Sequence, residues 1–245
     1  DMGYGWNLGN TMEATNTWTS NPKVTDFETA WGQPVTTKAM IDGIKKAGFN
    51  SIRIPVSWSN MMSSDGNYTI DTSYFKRVDE IISYAFANDM YVIINDHYEG
   101  GWRQHFSGNT RDCMNHYKNI RTQVAAHYKD YSEKLIFESA NEELGDSLKK
   151  SLSKRVVNRT DTALYNLVNE INQTFVDIVR QSGGNNARRY LLIAGFNTDI
   201  DKTCSSLYEM PADTISNHLM ISVHYYTPWT YVGLYKDECY GYKAT

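Results

Sequence analysis

A chain of 245 residues, 41% hydrophobic and 21% charged, carries enough apolar side chains for one large domain with a sizeable core. Its net charge of -4 excludes the basic footprint of a nucleic-acid partner, and it has no run of 18 apolar residues to cross a membrane.

Strand-like and helix-like segments alternate along the chain. Gly5-Trp6-Asn7-Leu8-Gly9-Asn10 opens it, with Trp6 expected in the core. Met40, Ile41, Ile44, Ala47 and Gly48 follow helical spacing and end at a glycine stop. Ser51 to Val56 reads as the second strand. Tyr74, Val78, Ile81, Ile82 and Ala85 mark an amphipathic helix. Tyr91 to Asn95 is the third strand, and Tyr117, Ile120, Val124 and Tyr128 mark the third helix. Leu135 to Ala140 is a short apolar run, a buried fourth strand, and Asn141-Glu142 follows it at once. The polar stretch from Gly145 to Thr160 reads as a loop insertion. Leu164, Leu167, Val168, Ile171, Phe175 and Ile178 form the fourth helix, broken by Gly183-Gly184. Tyr190 to Ala194 and Leu219 to Val223 are the fifth and sixth strands.

Strands apolar on both faces, joined by helical crossovers, imply a parallel α/β sheet. A doubly wound open sheet and a closed (β/α)8 TIM barrel both fit that alternation. No Gly-x-Gly-x-x-Gly follows any strand, which counts against a dinucleotide site. Polar residues follow strand after strand: Asn10, Arg53, His97, Asn141 with Glu142, and His224 with Tyr226. A barrel gathers side chains from many strand ends around one axis, whereas an open sheet concentrates its site at a switch point. The barrel needs eight strands and the sequence shows about six β/α units. The expectation is therefore an incomplete barrel over 1–245, whose last strands are missing or carried on a second polypeptide or exchanged segment. No signal peptide is visible; a mature form and a piece cut from a longer chain both fit that.

Cys113, Cys204 and Cys239 have no metal-binding spacing, and Cys204 with Cys239 reads equally as one disulfide or as two free thiols. The 18 Tyr and 6 Trp suit a core, and they also suit a cleft in which flat sugar faces stack on large rigid rings. Cleavage of a glycosidic bond needs two carboxyl groups, one protonated and one ionised, with donors that tune them. Glu142 can be the acid. Arg53 is a permanent cation that keeps a nearby carboxylate ionised or fills the barrel mouth as an ion pair. His97 and His224 read as hydrogen-bonding partners in the site or as satisfied buried histidines.

The segments Gly5-Trp6-Asn7-Leu8-Gly9-Asn10, Trp31-Gly32-Gln33-Pro34, Arg53-Ile54-Pro55, Asn95-Asp96-His97-Tyr98, Asn141-Glu142 and His224-Tyr225-Tyr226 resemble glycoside hydrolase family 5. Within it the chain is most similar to the endo-β-1,4-glucanase (cellulase) branch that also holds xyloglucanases and xylanases. The resemblance covers nearly all of the chain, in the same order. It implies a secreted or extracellular retaining β-glycanase, including a cell-surface one, that needs no cofactor or metal and acts on a β-glucan polysaccharide or oligosaccharide. It implies Glu142 as acid/base and Asn141 on the 2-hydroxyl of the sugar. Arg53 and Tyr226 would touch the nucleophile carboxylate, and His97 and His224 would line the same subsite. Asn10, Trp31, Tyr98, Trp102 and Trp229 are the substrate-binding candidates, with stacking assigned above all to Trp102 and Trp229. Trp58 and Trp31 also read as structural, and Trp18 is a further stacking candidate. The family's nucleophile is a glutamate after the seventh strand, which lies beyond residue 245; Glu138, Glu143 and Glu238 are not assigned that role.

Two positions depart from the family pattern. Glu143 stands where Pro is usual, and a second carboxylate there is expected to raise the pKa of Glu142. Asp96 stands where many relatives carry His. Two other readings remain: a metal-dependent barrel hydrolase using Asp96, His97, Glu142 and His224, and a non-catalytic carbohydrate-binding barrel. A β-mannanase or xylanase of the same family is the nearest alternative specificity.

Overall fold

A computed structural model describes residues 2–17, 19–99, 110–149, 161–227 and 229–232. Six strands form one sheet: β1 (Gly5–Asn7), β2 (Ser51–Ile54), β3 (Tyr91–Ile94), β4 (Leu135–Glu138), β5 (Leu191–Ala194) and β6 (Leu219–Ser222). The main helices are α1 (Val24–Glu28), α2 (Lys38–Lys46), α3 (Thr72–Phe86), α4 (Thr110–Tyr128) and α5 (Asp161–Gln181). Single-turn helices α6 (Ile200–Thr203) and α7 (Trp229–Val232) follow β5 and β6.

Local chemistry sets these elements. Asp71 starts α3 by accepting from the N–H of Ser73, and the stripe Tyr74, Val78, Ile81, Ile82 and Ala85 is buried as its spacing predicts. Truncating one of the larger of these side chains costs about 2–5 kcal/mol. Thr37 caps α2, and the chain leaves it through Gly48 at φ 100°, a left-handed turn that suits glycine. Strand β2 stops at Ile54, two residues short of the predicted Val56. Pro55 has no N–H to donate, and the N–H of Val56 goes to Oδ1 of Asn95 at 3.1 Å.

All strand pairs are parallel and the order is β1-β2-β3-β4-β5-β6. Each strand joins beside its predecessor and the direction of growth never reverses. A doubly wound sheet reverses at its switch point, so the order supports the barrel topology. The register agrees. Arg53 aligns with Ile93 and Ile93 with Ile136, yet Arg53 reaches Glu138, two residues further along β4. Glu138 aligns with Leu192 and Leu192 with Met220, yet Glu138 reaches Ser222, again two residues on. A climb of two residues for every two strands is the stagger of a sheet coiling toward an eight-stranded barrel.

Trp58 is fully buried and packs with Tyr74, Phe75 and Tyr128, the structural role the sequence suggested for it. Trp6 departs from expectation. It is 46% exposed and packs edge-on against Phe49, because β1 pairs with β2 alone among the described strands. The helical turn Asp146–Leu148 opens the predicted loop insertion, whose residues 150–160 lie outside the described set.

Candidate active site

Three inward side chains on alternate strands form a polar layer at the C-terminal end of the sheet. Arg53 of β2 donates from Nε to Oε2 of Glu138 on β4 at 2.7 Å. Ser222 of β6 donates to the other oxygen of Glu138 at 2.8 Å. Glu138 is completely buried, and such a carboxylate is tolerable only when paired and hydrogen-bonded. Arg53 also donates from Nη2 to Oδ1 of Asn141 at 3.0 Å and, at 3.5 Å, from Nη1 to Oδ1 of Asn7. Among the described residues the carboxylate paired with Arg53 is thus Glu138, the ion-pair reading the sequence offered for it.

Strand β4 stops at Glu138, two residues short of the predicted Ala140, and Asn141 and Glu142 follow after Ser139 and Ala140. Nδ1 of His224 lies 2.7 Å from Oε1 of Glu142, and that hydrogen bond is the first cause holding the Glu142 carboxyl below the usual carboxylate range. Tyr226 also hydrogen-bonds Glu142, and the negative charge of Glu142 pushes its phenol pKa up. The backbone is held as well. Asn197, in the turn after β5, donates from Nδ2 to the carbonyl of Glu142 at 3.1 Å, and its Oδ1 accepts the N–H of Asp146 at 3.1 Å. The expected effect of the adjacent carboxylate falls on the other partner. Burial first, and the charges of Glu142 and Asp96 after it, raise Glu143 to about 7, while Glu142 is lowered. Glu142 escapes because His224 reaches it.

His97 follows β3. Asn95 uses its carbonyl to accept from Val56, so its amide faces Nδ1 of His97 at 3.0 Å as a donor. Nδ1 is therefore the acceptor and the ring proton sits on Nε2. Burial, with Arg53 and His224 nearby, depresses His97 to about 3 and keeps the ring neutral. The adjacent Asp96 turns away from this ring. It hydrogen-bonds Glu99, whose pKa is raised by complete burial, and stands 4.0 Å from Arg121. Two carboxyl groups can share such a bond only by sharing a proton. Glu99 in turn accepts the N–H of Trp58 and that of Ser59, which fixes the loop carrying His97 and Tyr98.

Asn7, Gly9, Glu13, Arg53, His97, Asn141, Glu142, His224, Tyr225 and Tyr226 line a cavity of about 570 Å³. A second cavity, about 650 Å³, runs from Glu142 and His224 past Asn197, Asp199, Asp201 and Tyr225 to Trp229. The two share Glu142, His224, Tyr225 and Tyr226, so the carboxyl stands mid-way along one elongated cleft. Glu13 is buried, accepts from the N–H groups of Asn10 and Thr11, and has its pKa raised by burial.

The structure thus brings Arg53, His97, Asn141, Glu142, His224 and Tyr226 together. Asn10 lines a separate cavity between β1 and α2, with Trp6, Met40 and Phe49. Trp31 and Tyr98 are half-exposed and meet edge-to-face at 5.8 Å. Trp229 is exposed beside Tyr226, ring centres 5.9 Å apart. Trp18, Trp102, Glu238 and Cys239 lie outside the described residues, while Cys204 is an exposed free thiol. Among the described residues no three His, Cys, Asp or Glu side chains gather as a metal site, so Asp96, His97, Glu142 and His224 do not form the ligand set considered above. Sequence reasoning missed Asn7, Glu13 and Asn197, and it passed over Glu138 as a strand residue. One signal for Glu138 was present: an ionisable residue ending Leu135-Ile136-Phe137 must find a buried partner.

The chain is 39% identical to endoglucanase A of Paenibacillus barcinonensis, over 95% of this chain and 58% of that protein. It is 32% identical to a xyloglucan-specific endo-β-1,4-glucanase of Bacteroides ovatus, over 97% of this chain and 46% of that protein. The chain spans about half the length of the curated relatives it matches. Its structure is similar to that of a glycoside hydrolase family 5 lichenase of Caldicellulosiruptor sp. in complex with cellotetraose. The TM-score is 0.83 and the identity 38%, covering 94% of this chain and 62% of the lichenase. The six strands match such TIM-barrel structures over part of their length, as a half-barrel. The model of the family described as cellulase (glycosyl hydrolase family 5) matches residues 12–244, and the chain belongs to that family, in its endoglucanase branch.

Proposed function

We propose that the protein is a retaining endo-β-1,4-glycanase that hydrolyses internal bonds of cellulose, mixed-linkage β-glucan or xyloglucan by two-carboxylate double displacement. The observation that carries this reading is the position of Glu142, mid-way along an open cleft, with His224 and Tyr226 on its carboxyl and Asn141 beside it. An elongated cleft accepts a chain that continues past the cleaved bond on both sides, as endo cleavage needs. Glu142 serves as acid/base, Asn141 donates to the 2-hydroxyl of the sugar, and Trp31, Tyr98 and Trp229 offer ring faces to further sugar units. Trp102 is proposed as a stacking residue on the family resemblance.

The nucleophile is a glutamate beyond residue 245, on the remainder of the polypeptide or on a second chain, about 5–5.5 Å from Glu142. Glu13 borders the cleft but is turned to the N–H groups of Asn10 and Thr11, which argues against it for that role. Activity needs no metal or other cofactor. A polysaccharide is too large to enter a cell, so the enzyme works secreted or at the cell surface. The similarity to a lichenase, a xyloglucanase and a broad-specificity endoglucanase supports β-1,4-glucans over mannan or xylan.

The test is reducing-end release by the full-length polypeptide from barley β-glucan, xyloglucan, carboxymethylcellulose, mannan and xylan, with and without chelator. Glucan cleavage that survives chelation, with β product seen first by proton NMR, is the expected result. Glucan binding with no new reducing ends favours the non-catalytic barrel, and early α product rejects the retaining mechanism.

A further inference from the structure

Asn141 faces two different neighbours, and chemistry decides which way its amide points. Arginine carries donors only, so the atom of Asn141 at 3.0 Å from Nη2 of Arg53 is the carbonyl oxygen. The amide nitrogen is turned the other way. One of its two N–H groups serves Glu143. The other is left for the cleft that Asn141 shares with His97 and Glu142. A flipped amide would set donors against the guanidinium and present an acceptor to the sugar.

What holds Arg53 therefore sets the hydrogen-bonding sense of Asn141. The hold is Glu138, at 2.7 Å from Nε, with its second oxygen fixed by Ser222 at 2.8 Å. Both links lie below the cleft, since Glu138 and Ser222 are buried and neither lines either cavity. We propose that Glu138 is a positioning residue for glycan cleavage: it anchors Arg53 and through it keeps the Asn141 amide donating toward the substrate. Ser222 secures Glu138 from the next even-numbered strand. This rests on the β-glycanase reading, which assigns Asn141 to the 2-hydroxyl.

The test uses the full-length polypeptide and its Glu138→Gln and Ser222→Ala variants. Gln keeps the shape and can still accept from Arg53 but loses the charge that holds it. Turnover is compared on a dinitrophenyl β-cellobioside and on the same compound lacking the 2-hydroxyl of the reacting sugar. In the wild type the deoxy compound is much the poorer substrate. In Glu138→Gln, kcat/KM on the parent falls about 10²-fold, as for a misplaced catalytic group. The deoxy compound loses far less, so the ratio of the two moves toward one. Ser222→Ala shifts the ratio the same way by less, and covers the case in which Glu138→Gln does not fold. A folded variant of either kind that keeps the wild-type ratio overturns the proposal. The Asn141 side-chain amide signal, observed by NMR in selectively labelled protein, separates this idea from the function it rests on. An inactive wild type whose signal still moves in Glu138→Gln sinks the glycanase reading alone. A signal that stays in place in both variants sinks the positioning role.

Discussion

Nδ1 of His224 stands 2.7 Å from Oε1 of Glu142, and this one bond is the main reason the carboxyl ionises below its usual range. An acid catalyst must be protonated, so activity is lost as pH rises through that pKa. Replacing His224 with Ala removes the bond and lets the pKa of Glu142 rise. The alkaline limb of kcat/KM should move to higher pH on a neutral soluble β-glucan. A limb that stays in place rejects the assignment of Glu142 as the acid or of His224 as its tuner.

Glu142→Gln keeps the side-chain shape and removes its proton chemistry. Activity on polysaccharide should fall roughly 10²–10⁴-fold. Aryl glycosides with acidic leaving groups should lose less in the first step, since they depart with little protonation. Burst kinetics on a dinitrophenyl glycoside separate the two steps, and a full rate on β-glucan would rule Glu142 out.

His97 should stay neutral at working pH, because its pKa is depressed to about 3. The sign for stability follows: the unfolded chain takes up a proton near pH 6.5 and the folded one does not until about pH 3. Stability from this group therefore declines as pH falls between those values, by at most about 1.4 kcal/mol per pH unit. His97→Gln should flatten the acid side of a stability profile measured by urea unfolding. An imidazole NMR signal from His97 that titrates near pH 6.5 in the folded protein contradicts this.

Glu143 works in the opposite sense. Its folded pKa, raised to about 7 by burial, exceeds the ordinary 4.5, so the folded state keeps a proton that the unfolded state releases. Stability then drops as pH climbs from 4.5 to about 7. Glu143→Gln should be more stable than the wild type at pH 8, by about 1–3 kcal/mol, and should match it near pH 4. Thermal unfolding at the two pH values is the measurement, and an equal shift at both refutes a titrating Glu143.

Trp229 offers an exposed ring along the cleft, and Trp31 offers one that packs on Tyr98, the residue after His97. Removing either ring should raise KM for cellohexaose about 2- to 10-fold, the worth of roughly 0.5–1.5 kcal/mol of aromatic contact, with kcat little changed. Equal KM on cellohexaose for wild type and Trp229→Ala would take that ring out of the binding path.

The barrel topology was legible in the sequence because each buried strand is a short apolar run and each long helix repeats its apolar face. Glu142, His97 and His224 were legible because they follow such runs directly, where strand ends face one axis. Other features depend on separations that sequence spacing does not reveal. Arg53 and Glu138 lie 85 residues apart, and the two-residue climb between β2 and β4 that lets them meet is a property of the coiled sheet. The exposure of Trp6 depends on which strands flank β1, and composition carries no information about that. Asn197 was hidden because its role rests on a left-handed backbone turn, at φ 53°, in a loop that looks ordinary.

That turn constrains which mutations the segment after β4 can accept. A Cβ on Gly145 would stand 2.5 Å from Oδ1 of Asn197 and 2.9 Å from its backbone nitrogen. The same Asn197 side chain holds the carbonyl of Glu142. A larger residue at 145 therefore displaces the turn that holds the Glu142 backbone, and because the clash includes the backbone nitrogen of residue 197, no change of the 197 side chain relieves it. In a library that varies the two codons together, active clones should keep glycine at 145 whatever residue stands at 197.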